Sequence, residues 1–496
     1  MLDEIKKLTK HTSIYSLGNI LSKAVGFFLI PFYTHYLTPA DYGTLELLDL
    51  STALVGLLLN MWMNASVVRY YYEYDDEKNR NEVVSTALIS TASVAALVSA
   101  CGMIWARGFS QLILKTPNYY QFIWLISATL FFTCLNSVAW SYLRARQRST
   151  LLVVLQSISL VISLTLNIYF IAVLKTGLVG ILYSGLISTG LVTIGMTVMT
   201  VREVRWGFDR QKLVALVRFG SPLIFTSASA FVLNFADRFF LQRYTNISTV
   251  GIYALGYKFG FMLSFLIIQP FIMIWGARMY QIAKQENSGE TFSRLFAYFL
   301  LVLTAAALGL SLVIRNVIAI IAPPQYFDAY RIVPVVALAY VFYGIAYYFQ
   351  TGIYISKKTI YLGVLGTASA AVNIGLDFLL IPRYTAMGAA WATVLSFIFM
   401  AILGYVFSQT VYPIPYKLHK IAIAVVSAVA VYYLSTLVHT DWAIITAILK
   451  LSLVLVFTAA IFLLGFFDRR ELTKLREVWD GARGRYKMSM ASGAAK

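Results

Sequence analysis

Three cations stand singly inside long apolar stretches: Lys23, Arg238 within Asn234-Phe-Ala-Asp-Arg-Phe-Phe-Leu241, and Lys258 after Tyr257. A fixed positive charge in a water-poor, low-dielectric setting attracts phosphate strongly, so the chemistry they suit is holding an anion such as a pyrophosphate. A second reading stays open, in which each neutralises a nearby carboxylate and Arg238 with Asp237 only clamps helices. Asparagines share their helical faces at three-and-four spacing, which makes Lys23, Arg238, Lys258, Asn19, Asn60, Asn64 and Asn234 the candidate contacts for an anionic headgroup. The stripes are Thr12, Ser16, Asn19, Lys23 and Gly26; Glu46, Asp49, Asn60 and Asn64; Gln156, Ser159, Ser163 and Asn167; and Ser227, Asn234, Asp237 and Arg238. Lys258 with Gln269, and Asn373 with Asp377, extend the pattern into the second half of the chain.

Three carboxylates in these stripes, Asp49, Asp237 and Asp377, have the chemistry to carry a coupling proton or sodium ion; simple charge balance or a loop-edge position is the alternative. Tyr340, Tyr343, Tyr347 and Tyr354 recur with Gln350 at helical spacing, and flat amphipathic rings suit sugar faces. Tyrosines also populate interfacial belts and helix contacts, so both readings stand. Cys101 and Cys134 lie in apolar stretches, and the four histidines are scattered, so neither a disulfide framework nor a metal site is expected. No cofactor is expected beyond H+ or Na+.

The elements that must position these groups follow from composition. Of 496 residues, 59% are hydrophobic and 12% charged, with mean hydropathy +0.73, which excludes a water-exposed globular domain. Spanning a bilayer takes roughly 20 helical residues. Fourteen such spans are expected, at 12–37, 46–70, 83–106, 119–143, 151–174, 178–201, 219–243, 251–276, 294–322, 333–356, 360–382, 387–410, 417–439 and 442–467. Barrel strands would be shorter and alternating, so the expected fold is an all-α integral membrane protein.

The net charge of +18 reflects topology. Alternate loops carry clusters such as Lys6, Lys7 and Lys10, or Arg144, Arg146 and Arg148, while the other side carries only scattered residues such as Arg107, Lys175 and Arg383. By the positive-inside rule both termini are expected in the cytoplasm of a multi-pass cell-membrane protein, and no nucleic-acid partner is needed to explain the charge. The polar N-terminus and the long apolar segment after it read as a first span and not as a signal peptide. Loops stay within about seventeen residues, with no room for a soluble catalytic domain, so no enzymatic activity is expected.

The chain also repeats. Offset by 208 residues, Tyr36-Leu-Thr-Pro-Ala-Asp-Tyr-Gly43 falls on Tyr244-Thr-Asn-Ile-Ser-Thr-Val-Gly251, and Gly180 and Ser188 fall on Gly388 and Ser396. Two residues out of that offset, Asn167-Ile168 matches Asn373-Ile374. The expected organisation is therefore two parallel six-helix lobes, 1–206 and 207–416, then a helix pair at 417–467 and a basic tail at 468–496. Parallel repeats of this kind build alternating-access transporters with the site between the lobes.

Leu17-Gly-Asn-Ile-Leu-Ser-Lys-Ala-Val-Gly-Phe-Phe-Leu-Ile-Pro31 followed by Tyr36-Leu-Thr-Pro-Ala-Asp-Tyr-Gly-Thr-Leu45 resembles the opening of bacterial polysaccharide or O-antigen flippases of the multidrug/oligosaccharidyl-lipid/polysaccharide exporter superfamily. Asn234 to Leu241 with Val250-Gly-Ile-Tyr-Ala-Leu255 looks like that family's matching segment in the second lobe. The resemblance implies translocation of an undecaprenyl-diphosphate-linked oligosaccharide from the cytoplasmic to the outer leaflet, for cell-surface polysaccharide synthesis. It also implies membrane lipids, and polymerase or assembly proteins, as partners. Cationic cavity residues are typical of such flippases, and related lipid II flippases use helices 13 and 14 as a lipid groove. An ion-coupled multidrug or cation antiporter of the same superfamily is the rival reading, though it is expected to centre its cavity on carboxylates.

Overall fold

The computed structural model describes residues 26–467 apart from 28, 205 and 439–442. The described residues form helices joined by short turns, without a strand. Eleven of the helices are long and apolar enough to cross a bilayer. Residues 29–36 (α1) lead into Pro39–Glu73 (α2), Glu77–Ile104 (α3), Pro117–Ala145 (α4), Ser149–Val173 (α5) and Leu178–Glu203 (α6). The second half follows with Arg210–Phe235 (α7), Ile247–Ile282 (α8), Ser288–Ile321 (α9) and Pro324–Ile355 (α10). Ile360–Val411 runs 52 residues but breaks at Thr385, which divides it into arms 360–384 (α11) and 386–411 (α12). His419–Thr436 (α13) and Ala443–Leu463 (α14) pack against α9. Large apolar side chains stand on the outer faces, Ile320 at 81% and Leu463 at 85% exposure among them, as lipid contact requires.

Several helices begin earlier than the apolar pattern indicates. α2 starts at Pro39 where 46 is expected, because Thr38 caps it: the Asp41 amide donates to Thr38 Oγ1 (3.2 Å), the Thr38 amide donates to Asp41 Oδ2 (3.1 Å), and proline occupies the first turn. α3 starts at Glu77 and not 83, α9 at Ser288 and not 294, and α8 covers Ile247–Ile282 where 251–276 is expected. Hydropathy marks only the apolar middle of a helix, whereas hydrogen bonding continues through its charged ends. The expected span 219–243 is in fact α7, ending at Phe235, and a separate short helix Asp237–Tyr244.

The repeat is written into the backbone. Thr38 and Asn246, 208 residues apart, both cap helices, Asn246 Oδ1 accepting from the Thr249 amide at 2.9 Å. π-Helical turns interrupt α2 at Leu57–Met61 and α8 at Ser264–Ile268. Gln147 and Lys357 take matching left-handed conformations (φ 56° and 58°). Gly177 (φ 60°, ψ −138°) and Thr385 (φ 50°, ψ −128°) make the same sharp reversal 208 residues apart.

At Thr385 that conformation is one glycine adopts freely and a β-branched residue resists. Thr385→Gly is therefore expected to stabilise the purified protein by on the order of 1 kcal/mol, read as a higher thermal unfolding midpoint.

The two halves meet along α2 and α8, with matched residues facing each other. A Cβ at Gly43 would run into the Ile247 carbonyl oxygen and one at Gly251 into that of Pro39, and each would stand 2.9 Å from the other glycine's amide nitrogen. Since Pro39 and Gly43 match Ile247 and Gly251 in the repeat, the contact is self-complementary, like a two-fold dimer interface. Only glycines permit backbones this close. At the opposite end Lys212 of α7 reaches α3, 2.5 Å from Glu82 Oε2 and 2.6 Å from Asn79 Oδ1, and Ser66 Oγ donates to the Leu216 carbonyl at 2.9 Å.

Gly43→Ala is expected to part the α2–α8 seam. Spin labels at the exposed Tyr36 and Tyr244 should move to longer separations, while Gly195→Ala, with open space at its Cβ, should leave them unchanged.

Candidate functional site

One turn along α2 from Gly43, on the face that meets α8, lies Glu46. Its carboxylate bridges to the second lobe, with Lys258 Nζ 2.9 Å from Oε2 and Arg238 Nε 3.9 Å from Oε1. Lys258 Nζ also donates to the Tyr42 hydroxyl at 3.0 Å, and its side chain keeps 42% exposure. Arg238 differs, being 1% exposed and enclosed on all sides. Its Nη1 donates to Asp237 Oδ1 and to the Asn234 carbonyl, both at 2.6 Å, and its guanidinium lies 3.7 Å from the centre of the Tyr257 ring. Tyr253 donates its hydroxyl to the other Asp237 oxygen. In this conformation protein groups take up the Arg238 charge.

A cavity of about 230 Å³ opens beside the bridge, mostly within the first lobe. Its polar wall comprises Asp49, Thr52, Thr129, Ser163 and Asn167, with Lys258 reaching in from the second lobe and Tyr33 and Tyr42 contributing rings. Asp49 is exposed to it. Asn167 is buried; its Nδ2 donates to Ser163 Oγ at 3.3 Å, while its Oδ1 has no partner among the described residues.

A second cluster lies between α11, α12 and the short helix after α7. Asp377 is fully buried, and neither of its oxygens has a hydrogen-bond partner among the described residues. Asn373, one turn away, donates to Ser396 Oγ at 3.2 Å and likewise leaves its Oδ1 unpaired. The short helix that begins at Asp237 packs against the same long helix pair. Unsatisfied acceptors in a buried site call for a donor, and a bound cation or a proton supplies one.

The candidates read from sequence thus separate. Arg238, Lys258, Asn234 and Asp237 come together, and Asp49 and Lys258 share the cavity. Asn64 does not join them: it accepts from Ser141 Oγ at 2.8 Å and ties α2 to α4. Lys23 and Asn19 lie outside the described residues, as does the side chain of Asn60. Of the α10 set, Tyr340 is buried, its hydroxyl donating to Asn234 Oδ1 (2.8 Å) and meeting the Tyr257 hydroxyl (2.8 Å). Tyr343 packs on Phe397 with ring centres 5.0 Å apart, and Gln350 is buried. None of Tyr340, Tyr343, Tyr347 or Gln350 is on the cavity wall, because α10 turns these faces toward α8 and α12. Sequence reasoning missed the bridging role of Glu46; its place three residues after the repeat glycine was the available signal.

Removing the Glu46 charge takes a partner from the half-exposed Lys258, a smaller loss than the roughly 3–5 kcal/mol of breaking a fully buried pair. Glu46→Gln is expected to lower the unfolding midpoint and weaken the α2–α8 seam, read by the same Tyr36–Tyr244 label distance. An unchanged midpoint together with an unchanged distance would show that the bridge carries no weight.

With the geometry in hand, comparison with known proteins adds the following. Residues 8–274 match the family model described as polysaccharide biosynthesis protein. Two proteins of Haemophilus influenzae align over 53% of this chain: Lsg locus putative protein 1 at 23% identity and an uncharacterized membrane protein at 25%. The chain covers 63% and 62% of their respective lengths. Among solved structures, the lipid II flippase MurJ in an inward closed conformation superposes with TM-score 0.75 at 14% identity, over 90% of this chain and 98% of that one. A multidrug resistance MATE family transporter of the MOP superfamily, inward-facing, gives 0.62 at 13% identity over 78% and 94%. These likenesses establish the fold of that superfamily.

Proposed function

Because the chain belongs to the polysaccharide biosynthesis protein family, we propose that it is a flippase carrying an undecaprenyl-diphosphate-linked oligosaccharide from the cytoplasmic to the outer leaflet of the cell membrane. The observation that carries the reading is the partly exposed Lys258, held between Glu46 and Tyr42 at the mouth of a polar cavity on the lobe seam. A diphosphate arriving there competes with Glu46 for Lys258, which couples cargo entry to loosening of the bridge between lobes. The basic loops, including Arg146, Arg148 and Lys212, gather at the end opposite Gly43 and Gly251, so by the positive-inside rule that end is cytoplasmic and the glycine seam closes the outer side. The lobes then rock about the bound headgroup.

An apolar cavity of about 130 Å³ between α9, α10, α12 and α13, lined by Leu308, Leu338, Val425 and Tyr432 among others, suits the prenyl chain. Asp377 with Asn373 and Asp237 is the place for a coupling H+ or Na+. Polymerase and assembly proteins would take the product. One observation favours cation antiport instead: among the described residues the lobe bridge, the cavity wall and the second cluster together hold four carboxylates, Glu46, Asp49, Asp237 and Asp377, against the two cations Arg238 and Lys258.

Native mass spectrometry of the purified protein separates the two. A bound polyprenyl-diphosphate glycan is expected, and Lys258→Gln should lower both its occupancy and its flipping in vesicles by about tenfold, the equivalent of one charge-assisted contact. An organic cation in its place would overturn the flippase reading.

A further inference from the structure

The repeat sets two equivalent asparagines in different chemistry. Asn167 and Asn373 each donate to a serine and each leave a buried Oδ1 without a partner among the described residues. In the second lobe, Asp377 stands one turn beyond the asparagine. At the same offset from Asn167, the first lobe has Ile171, buried and apolar. The first-lobe site therefore has the amide acceptor without the carboxylate that stands beside it in the second lobe. What remains suits a neutral hydroxyl donor.

The surrounding wall is rich in acceptors. Thr52 and Thr129 spend their hydroxyl protons on the carbonyls of Leu48 and Leu125, both at 2.9 Å, and offer only lone pairs to the cavity. Asp49, when ionised, can only accept, and Lys258 across the same wall offsets its charge. Tyr33 supplies a flat ring. An acceptor-rich wall with two rings and one cation matches a polyol attached to an anion. At about 230 Å³ the cavity is below the roughly 300–1,000 Å³ of pockets that enclose drug-sized ligands, so it admits one ring of a glycan at a time.

We propose that this first-lobe cavity is the carbohydrate subsite, in which sugar hydroxyls donate to Asn167 Oδ1 and Asp49 while the linked phosphate meets Lys258. The assignment rests on the flippase reading and moves the sugar contact away from the α10 tyrosines.

The test places a photo-reactive benzoylphenylalanine at Tyr33, Tyr343 or Tyr347 of the full-length protein, in cells making their own glycan, and identifies the adducts by mass spectrometry. A glycan-bearing adduct is expected at Tyr33 and at neither α10 position. Asn167→Leu should reduce it about tenfold, the size of one lost buried hydrogen bond. Asp49→Leu, at an exposed side chain, should reduce it likewise and serves where Asn167→Leu fails to fold. Glycan adducts at Tyr343 or Tyr347 alone would overturn the subsite but leave the flippase. A Tyr33 adduct insensitive to both substitutions would overturn the assigned acceptors. Absence of a prenyl-linked glycan from all three positions and from the purified protein would overturn both readings.

Discussion

Two helix backbones approach each other where Gly43 meets Gly251, and the rest of the molecule is arranged around that approach. Because Gly43 faces Ile247 and Gly251 faces Pro39, and these are repeat mates of one another, the seam is symmetric although the chain around it is not. Close contact here sets the spacing of α2 and α8 one turn further on, which is what allows Glu46 to reach Lys258 at 2.9 Å. Beyond that, π-helical turns interrupt the two helices at near-matching positions of the repeat, Leu57–Met61 and Ser264–Ile268.

On this symmetric frame the charges are asymmetric. The first lobe supplies Glu46 to the bridge, and the second supplies Arg238 and Lys258. Arg238 is fixed by Asp237, the Asn234 carbonyl and the Tyr257 ring, so it acts as a permanent part of the second lobe. Lys258 is exposed on one side and bound by Glu46 on the other. A contact of that kind costs little to exchange for a cargo anion, since the lysine never has to stand bare in a low-dielectric site. The buried cation therefore holds structure, while the half-exposed one is available for exchange.

The membrane class, the helical spans and the repeat were legible in the residues, because apolar length and matched motifs are local properties. The helix ends were not: Thr38 and Asn246 begin their helices in polar stretches that hydropathy passes over, and the break at Ala236 divides what reads as one span. The candidate site was half legible. Helical spacing grouped Asn234, Asp237 and Arg238, which the fold brings together, and also Asn64 and the α10 tyrosines, which it sets apart from the cavity wall, since periodicity tells which residues share a face and not which face meets the cavity. Asn64 turned toward Ser141, and Tyr340 toward Asn234 and Tyr257. The pairing of Glu46 with Lys258 spans 212 residues and depends on the seam, so no local pattern could carry it.

Once the fold is known, the repeat becomes informative at the positions where it fails. Residues that match across the lobes, Gly43 with Gly251, Gly180 with Gly388 and Gly177 with Thr385, serve close packing and chain reversal, needs that both lobes share. Asn167 and Asn373 match as well, yet one turn on the chain diverges: Ile171 stands where the second lobe has Asp377. Packing cannot account for this divergence, because a buried aspartate whose two oxygens have no partner among the described residues is a poor substitute for isoleucine in an apolar helix contact. The same backbone frame thus holds a buried carboxylate beside the asparagine in one lobe and an apolar residue at the matching place in the other, so two asparagines alike in position face different chemistry.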